Sequence, residues 1–292
     1  MTSDTPHVLY AAADRVATVT LNRPEVLNAL RVDTQEQYFA ALHRADDDPE
    51  VRAIVVTGAG RGFCAGADLG WLAGVGERGG LSGDDAGSID RRPELPDMAL
   101  DLSVPVVGAI NGPAAGLGFA IMLLTDVRFA AAGAKFTTTF ARLGLVAEYG
   151  TSWLLPRLIG PGNALDLLLT GRTFTAEEGK DLGLFQRVLP PGEVLPAAQA
   201  YARGLAQGSS PTSMALIRRQ VYGDLHRTRE DAMHDSVAMM LESFGRPDLG
   251  EGVTAQAQKR RPDFPPYAPP GTTSYRGPSP HNRTAQDTEG TQ

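Results

Sequence analysis

Residues 104–126, VPVVGAINGPAAGLGFAIMLLTD, constrain the fold more than any other stretch. An apolar run over 104–110, broken only by Pro105 and Gly108, predicts a buried strand. The small residues 111–116 predict a tight turn, and the apolar run over 117–124, ending at Asp126, predicts a buried helix. Glycine and alanine at such a turn let backbone N–H groups approach a ligand closely, because no bulky side chain intervenes. The N–H groups of a helix's first turn have no partner inside the helix, and the dipole adds to their pull on negative charge. The stretch therefore reads as half of an oxyanion hole. The other half is expected near residues 63–69.

Upstream, 8–12 and Val16–Leu21 read as a hairpin turning at Ala13-Asp14-Arg15. Asp33 is placed to cap a helix over 34–45, with Glu36 as a capping-box partner and Tyr38, Leu42 and Ala45 on one face. The continuous apolar run 51–57 predicts a strand buried on both faces. The segment GAGRGFCAGADL at 58–69 follows that strand directly, and a helix is expected to start near Asp68 and to include Trp71 and Leu72. Residues 74–97, rich in glycine and charge, read as a mobile surface loop able to fold over a site.

Downstream, strands are expected at 127–130, 135–140 and 184–189, and a loop at 143–150. Helices are expected after Thr151 or Ser152 as cap, over Pro161–Thr170, and over 175–182 with Thr175 as cap. Further helices follow at 197–207, 213–222, 230–243 and 248–260. The resulting division is an α/β core over 1–195, a helical region over 196–262, and a disordered tail over 263–292. Strand–strand–helix recurrence fits a layered spiral, although periodicity alone leaves a doubly wound sheet open.

A net charge of −7 argues against non-specific nucleic-acid binding, which needs a basic surface. The lone Cys64 allows no internal disulfide, which favours a reducing, cytoplasmic location. The N-terminal residues lack the pattern of a secretory signal, and no apolar run is long enough to span a bilayer. The five histidines are scattered without metal-ligand spacing, so no metal is expected, and Gly58–Gly62 lacks the Lys-Ser/Thr of a phosphate-binding loop, which argues against nucleotide hydrolysis.

Several separated motifs agree in kind. They are Thr20-Leu21-Asn22-Arg23-Pro24 with Asn28-Ala29-Leu30, then Phe63-Cys64-Ala65-Gly66-Ala67-Asp68-Leu69, then Ile110-Asn111-Gly112 with Gly116 and Gly118. Leu143-Gly144-Leu145 follows, and finally Glu251-Gly252-Val253 with Lys259-Arg260-Arg261-Pro262. In this order they resemble the enoyl-CoA hydratase/isomerase (crotonase) family. The resemblance implies a crotonase-like spiral of ββα units and a C-terminal helical trimerisation region, giving a homotrimer or dimer of trimers. It implies an acyl-CoA thioester as substrate, with coenzyme A part of the substrate and no separate cofactor. It implies that the backbone N–H groups of Ala67 and Leu117 hold a thioester enolate, with Ala65, Gly66, Asp68 and Gly116 around the substrate. Arg23 and Val26 correspond to the adenine site, and Lys259, with Arg260, to the CoA phosphates.

The hydratases of this family carry two glutamates where this chain has Ala120 and Phe140. The resemblance places Glu148 at the point of the 143–150 loop where some isomerase and dehalogenase branches of the family carry their acidic residue, and its apolar neighbours would raise its pKa. One carboxylate suits a proton shuttle between two carbons, as in double-bond isomerisation. Hydration using Glu148 and a water, and a catalytically silent acyl-CoA binder, stay open. Asp68 also reads as a helix cap, Asp126 as structural, Cys64 as a small buried hydrophobe, and Trp71 as core or pocket wall.

Overall fold

The computed structural model describes residues 6–80 and 96–267. β1 (Val8–Ala13) and β2 (Val16–Leu21) form an antiparallel hairpin in which Ala13 pairs with Val16. The two residues between them, Asp14 and Arg15, are both left-handed, at φ 54° and 65°. That is the handedness a two-residue hairpin turn needs to match strand twist.

β3 (Ala53–Gly58), β4 (Val106–Ile110), β6 (Val127–Ala131) and β9 (Arg187–Leu189) then add in parallel, giving a six-stranded sheet in the order β1-β2-β3-β4-β6-β9. A smaller sheet joins β5 (Ala114–Ala115), β7 (Lys135–Thr137) and β8 (Phe174–Thr175) in the order β5-β7-β8. A doubly wound sheet reverses its direction of growth at a switch point. Here each new strand of the large sheet is laid on the same side, and the chain visits the small sheet in between. The layered spiral is the architecture adopted.

Every residue of β3 is buried, as its unbroken apolar run predicts. α1 (Val32–Asp47) buries Tyr38, Leu42 and Ala45 as expected, but Asp33 does not cap it. The helix starts one residue before Asp33, after Arg31, so the Asp33 carboxylate sits inside the first turn and accepts from the adjacent Thr34 N–H at 2.9 Å. α2 (Leu69–Glu77) takes up the start of the stretch read as a loop, and Pro96–Leu100 at its other end forms a 3-10 turn. The intervening 81–95 lie outside the described residues.

α3 (Leu117–Leu123) is buried at every position. The strand expected over 135–140 stops at Thr137, because Thr139 turns left-handed at φ 53° and Phe140–Leu143 coils into a 3-10 turn. α4 (Thr151–Ile159) is entered through a left-handed Gly150, so neither Thr151 nor Ser152 caps it. α5 (Pro161–Thr170) ends at a left-handed Gly171, and α6 (Ala176–Asp181) is capped by the Thr175 hydroxyl, which accepts from Glu178 N–H at 3.3 Å. The strand expected over 184–189 is shorter: Leu184 N–H turns back to the Gly179 carbonyl at 2.8 Å, and β9 begins only at Arg187.

α7 (Pro191–Gly208) starts earlier than the expected 197 and runs unbroken through residues 195 and 196. Its buried face is Val194, Ala198, Ala202 and Ala206, a four-residue rhythm of small side chains that lets it lie against β2, β3, β4 and β6. α8 (Pro211–Asp224), α9 (Arg229–Phe244) and α10 (Pro247–Ala257) follow. Phe264 is not tail: its ring is buried and its carbonyl accepts from the buried Arg52 guanidinium at 2.7 Å. The rest of the expected tail, from 268 on, lies outside the described residues.

Candidate active site

The two glycine-rich segments are laced together by their backbones. Phe63 and Cys64 N–H both reach the Pro113 carbonyl, at 3.1 and 3.2 Å, and Ala115 N–H reaches the Cys64 carbonyl at 3.0 Å. Such close packing leaves no room for side chains. A Cβ on Gly118 would stand 2.3 Å from the Cys64 carbonyl oxygen, and one on Gly66 would stand 2.6 Å from that of Ala115 and 3.4 Å from the Leu117 nitrogen. Two asparagines hold the first segment from either side. Asn28 donates to the Ala59, Gly62 and Phe63 carbonyls at 2.9–3.1 Å. Asn111 accepts from Gly58 N–H at 3.0 Å and donates to the Gly60 carbonyl at 3.1 Å. Both lie in the motifs that carry the resemblance, but nothing in their spacing announces a staple across the chain.

Ala67 bridges to Leu30 in parallel, and the bonds of that bridge run through its neighbours: Leu30 N–H to the Gly66 carbonyl at 2.7 Å, and Asp68 N–H to the Leu30 carbonyl at 3.0 Å. In a parallel bridge this turns the Ala67 N–H away from residue 30. Leu117 opens α3, and its N–H precedes the first intrahelical bond, from Ala120 to the Gly116 carbonyl. Among the described residues, neither the Ala67 nor the Leu117 N–H has an acceptor. Gly66 and Gly116 are buried beside them, whereas Ala65 is exposed.

Asp68 caps α2, with its Oδ1 accepting from Gly70 N–H at 3.0 Å. Its Oδ2 faces the Arg23 guanidinium at 3.4 Å, and Arg23 also donates to the Ala29 carbonyl at 2.7 Å. Arg23 is thus turned inward onto the motif, while Val26 is exposed at the end of a 3-10 turn, Pro24–Val26. Trp71 lines a surface cavity of about 480 Å³ with Arg31, Val32, Asp33, Glu36 and Asp68. Burial pushes the Cys64 thiol up to about 12, so it is no nucleophile at neutral pH.

Lys259 is exposed and left-handed just past α10, and no hydrogen bond or ion pair among the described residues joins it to the glycine-rich segments. Arg260 is engaged with Glu251 at 2.6 and 2.9 Å, which holds that carboxyl at about 2.

Glu148 is half-buried on the loop leading into α4, and burial alone raises its pKa. Among the described residues its carboxylate has no hydrogen bond or ion pair. α4 packs against both α3 and α5, so the Glu148 loop is tied to the helix that begins with Leu117. Ala120, on α3, and Phe140 are both buried, and neither supplies a carboxylate.

Sequence reasoning placed Asp126 correctly as structural but missed its partner. Asp126 accepts from Val106 N–H at 2.6 Å, Arg218 Nε at 2.7 Å and the Tyr222 hydroxyl at 2.7 Å. Arg218, only 7% exposed, also donates to the Ala99, Leu100 and Leu102 carbonyls, clasping α8 to the core. A buried arginine on an otherwise ordinary helix carries no local signal. Among the described residues, no group of three His, Cys, Asp or Glu could hold a metal, and no helix is long and apolar enough to cross a membrane.

A mainly parallel sheet grown in one direction, with a second small sheet and paired glycine-rich turns, defines the class: the crotonase fold. The sequence profile described as Enoyl-CoA hydratase/isomerase matches residues 11–266. A Rhodobacter capsulatus protein named "Probable enoyl-CoA hydratase" is 35% identical over 88% of this chain and 97% of its own. The 1,2-epoxyphenylacetyl-CoA isomerase of Escherichia coli K12 is 36% identical over 85% of this chain and 94% of its own. The crystal structure of a "probable enoyl-CoA hydratase/isomerase" from Mycobacterium abscessus superposes with a TM-score of 0.79 at 32% identity, covering 89% of this chain and 99% of that one. The chain belongs to the enoyl-CoA hydratase/isomerase family.

Proposed function

We propose that this enzyme moves a double bond in an enoyl-CoA, with Glu148 as the base and the backbone N–H groups of Ala67 and Leu117 as the oxyanion hole. Glu148 takes a proton from C2 of a 3-enoyl thioester, the electron pair passes into the thioester oxygen, and the dienolate is held by the two N–H groups. The same carboxyl then returns the proton to C4, leaving the 2-enoyl thioester. No water and no separate cofactor enter. Losing one such donor costs about 3–4 kcal/mol of transition-state stabilisation.

The observation that carries this reading is the combination of three residues: Ala120 and Phe140 are buried and apolar, and Glu148 is a half-buried carboxylate with a raised pKa. A base is most effective when its pKa approaches the working pH. Among the relatives, one is named an isomerase of an epoxyacyl-CoA and others are named enoyl-CoA hydratases, so the reading rests on the site residues. Incubation with a 3-enoyl-CoA and with crotonyl-CoA tests it. Gain of conjugated enoyl absorbance on the first supports isomerisation; loss of it on the second supports hydration through Glu148 and water. Binding with neither change supports a silent acyl-CoA binder.

We further propose a trimer-based assembly. α9 buries none of its residues and leaves Met233, Val237, Met240, Leu241 and Phe244 exposed. An apolar helical face of that kind is expected to be covered by another copy. In such an assembly Lys259 of one copy is a candidate for the CoA phosphates of its neighbour, and Val26 and Arg23 border the adenine end.

A further inference from the structure

The turn that carries Glu148 also carries an unexplained hydroxyl. Thr151 N–H donates to the Glu148 carbonyl at 3.0 Å, and the two residues between them are left-handed, Tyr149 at φ 49° and Gly150 at φ 71°. Positive φ at both central positions is the mirror-image tight turn, which brings its first and fourth Cα atoms within about 7 Å. Tyr149 has no glycine's freedom, so this conformation is held at a cost. The fourth residue, Thr151, is 1% exposed, and its Oγ1 is buried with no hydrogen-bond partner. Buried polar atoms are almost always partnered, so such an exception asks for a group that arrives.

We propose that Thr151 is a positioning residue, whose hydroxyl donates to the Glu148 carboxylate when that side chain turns inward over the tight turn. The first and fourth residues of the turn supply complementary groups: a hydroxyl without an acceptor and a carboxylate without a donor. The tight turn holds their two backbones together, so the proposal asks for a side-chain rotation of Glu148. The bond orients the carboxylate and favours its ionised form, opposing the effect of burial.

α3 carries no charged group, Asp166 on α5 pairs with Arg172, and Arg142 donates to the Thr170 carbonyl. On α4, Arg157 donates to the Trp153 carbonyl and lies over the Trp153 ring, on which the His226 imidazole also stacks at 5.0 Å between centroids.

The inference rests on Glu148 being the base, and the test separates the two. The Glu148 carboxyl is titrated by carbon NMR on glutamate-labelled enzyme, its signal assigned with Glu148→Gln, in wild type, Thr151→Val and Thr151→Ser. In Thr151→Val the proton affinity of Glu148 is expected to rise about tenfold, the size of a charge-assisted hydrogen bond. The acid limb of the pH–rate profile on a 3-enoyl-CoA is expected to move up with it, with kcat lowered and KM unchanged, and Thr151→Ser is expected to restore both. Should Thr151→Val fold poorly, Thr151→Ala carries the same comparison. An unmoved Glu148 titration overturns the proposal, even if activity falls. A moved titration with a fully active Glu148→Gln leaves the pair standing and overturns the base.

Discussion

Gly66 meets Leu117 so closely that a Cβ on residue 66 would lie 3.4 Å from the Leu117 nitrogen and 2.6 Å from the Ala115 carbonyl oxygen. This contact sets residue 66, next to Ala67, against the start of α3 at Leu117. Gly66→Ala adds that Cβ at φ +95°, where side chains are strained. It is expected to cost about 1–3 kcal/mol of stability and to lower kcat/KM about 10²- to 10³-fold. Urea unfolding and a 3-enoyl-CoA assay measure the two; full activity would show that the contact does not shape the site.

Glu148→Gln keeps the size of the side chain and removes the base. Turnover of a 3-enoyl-CoA is expected to fall about 10²- to 10⁴-fold, with acyl-CoA binding retained in calorimetry. Turnover equal to wild type would exclude Glu148 as the base.

The same carboxyl predicts a pH signature. Its pKa is raised in the folded chain above the ordinary 4.5, because burial penalises the ionised form. A group with a raised folded pKa contributes stability at low pH and loses it as pH rises through that value. Glu148→Gln is therefore expected to melt higher than wild type at neutral pH, the gap closing below about 4.5. The acid limb of kcat/KM in wild type is expected above the same value. A melting gap independent of pH would contradict the burial argument.

The Asp126–Arg218 pair predicts a stability effect remote from the chemistry. Arg218→Ala leaves the Asp126 carboxylate and three backbone carbonyls facing a hole, and breaking a buried pair from one side costs about 3–5 kcal/mol. Asp126→Asn with Arg218→Met, which removes both charges and retains volume, is expected to recover part of this loss. Chemical denaturation of the single and double variants gives the comparison; additive losses would mean that the two residues do not act as a pair.

If α9 forms the proposed interface, Met240→Asp on its exposed face is expected to lower the particle mass to that of one chain without unfolding it, because the position is not buried within one chain. Sedimentation velocity reads the mass directly. An unchanged mass would remove α9 from the interface.

Sequence alone determined much of the local structure, for a simple reason: periodicity, turn residues and caps act between near neighbours. The unbroken run of β3 was buried throughout, Thr175 capped α6, Gly171 ended α5, and Leu117 began α3 where the small-residue turn predicts. Helix starts are set partly by the backbone before them: Asp33 lies one residue inside its helix, and Thr151 follows a left-handed glycine instead of capping. The absence of carboxylates at 120 and 140 was also plain from the sequence, since it needs only residue identity. Tertiary structure decided the rest. The growth of the sheet on one side ruled for a spiral, and Arg218 found Asp126 across 92 positions. Phe264 became core because Arg52 meets its carbonyl. Whether the Ala67 and Leu117 N–H groups lie together depends on two backbones packed too closely for any Cβ between them, a property of surfaces that meet only once the chain has folded.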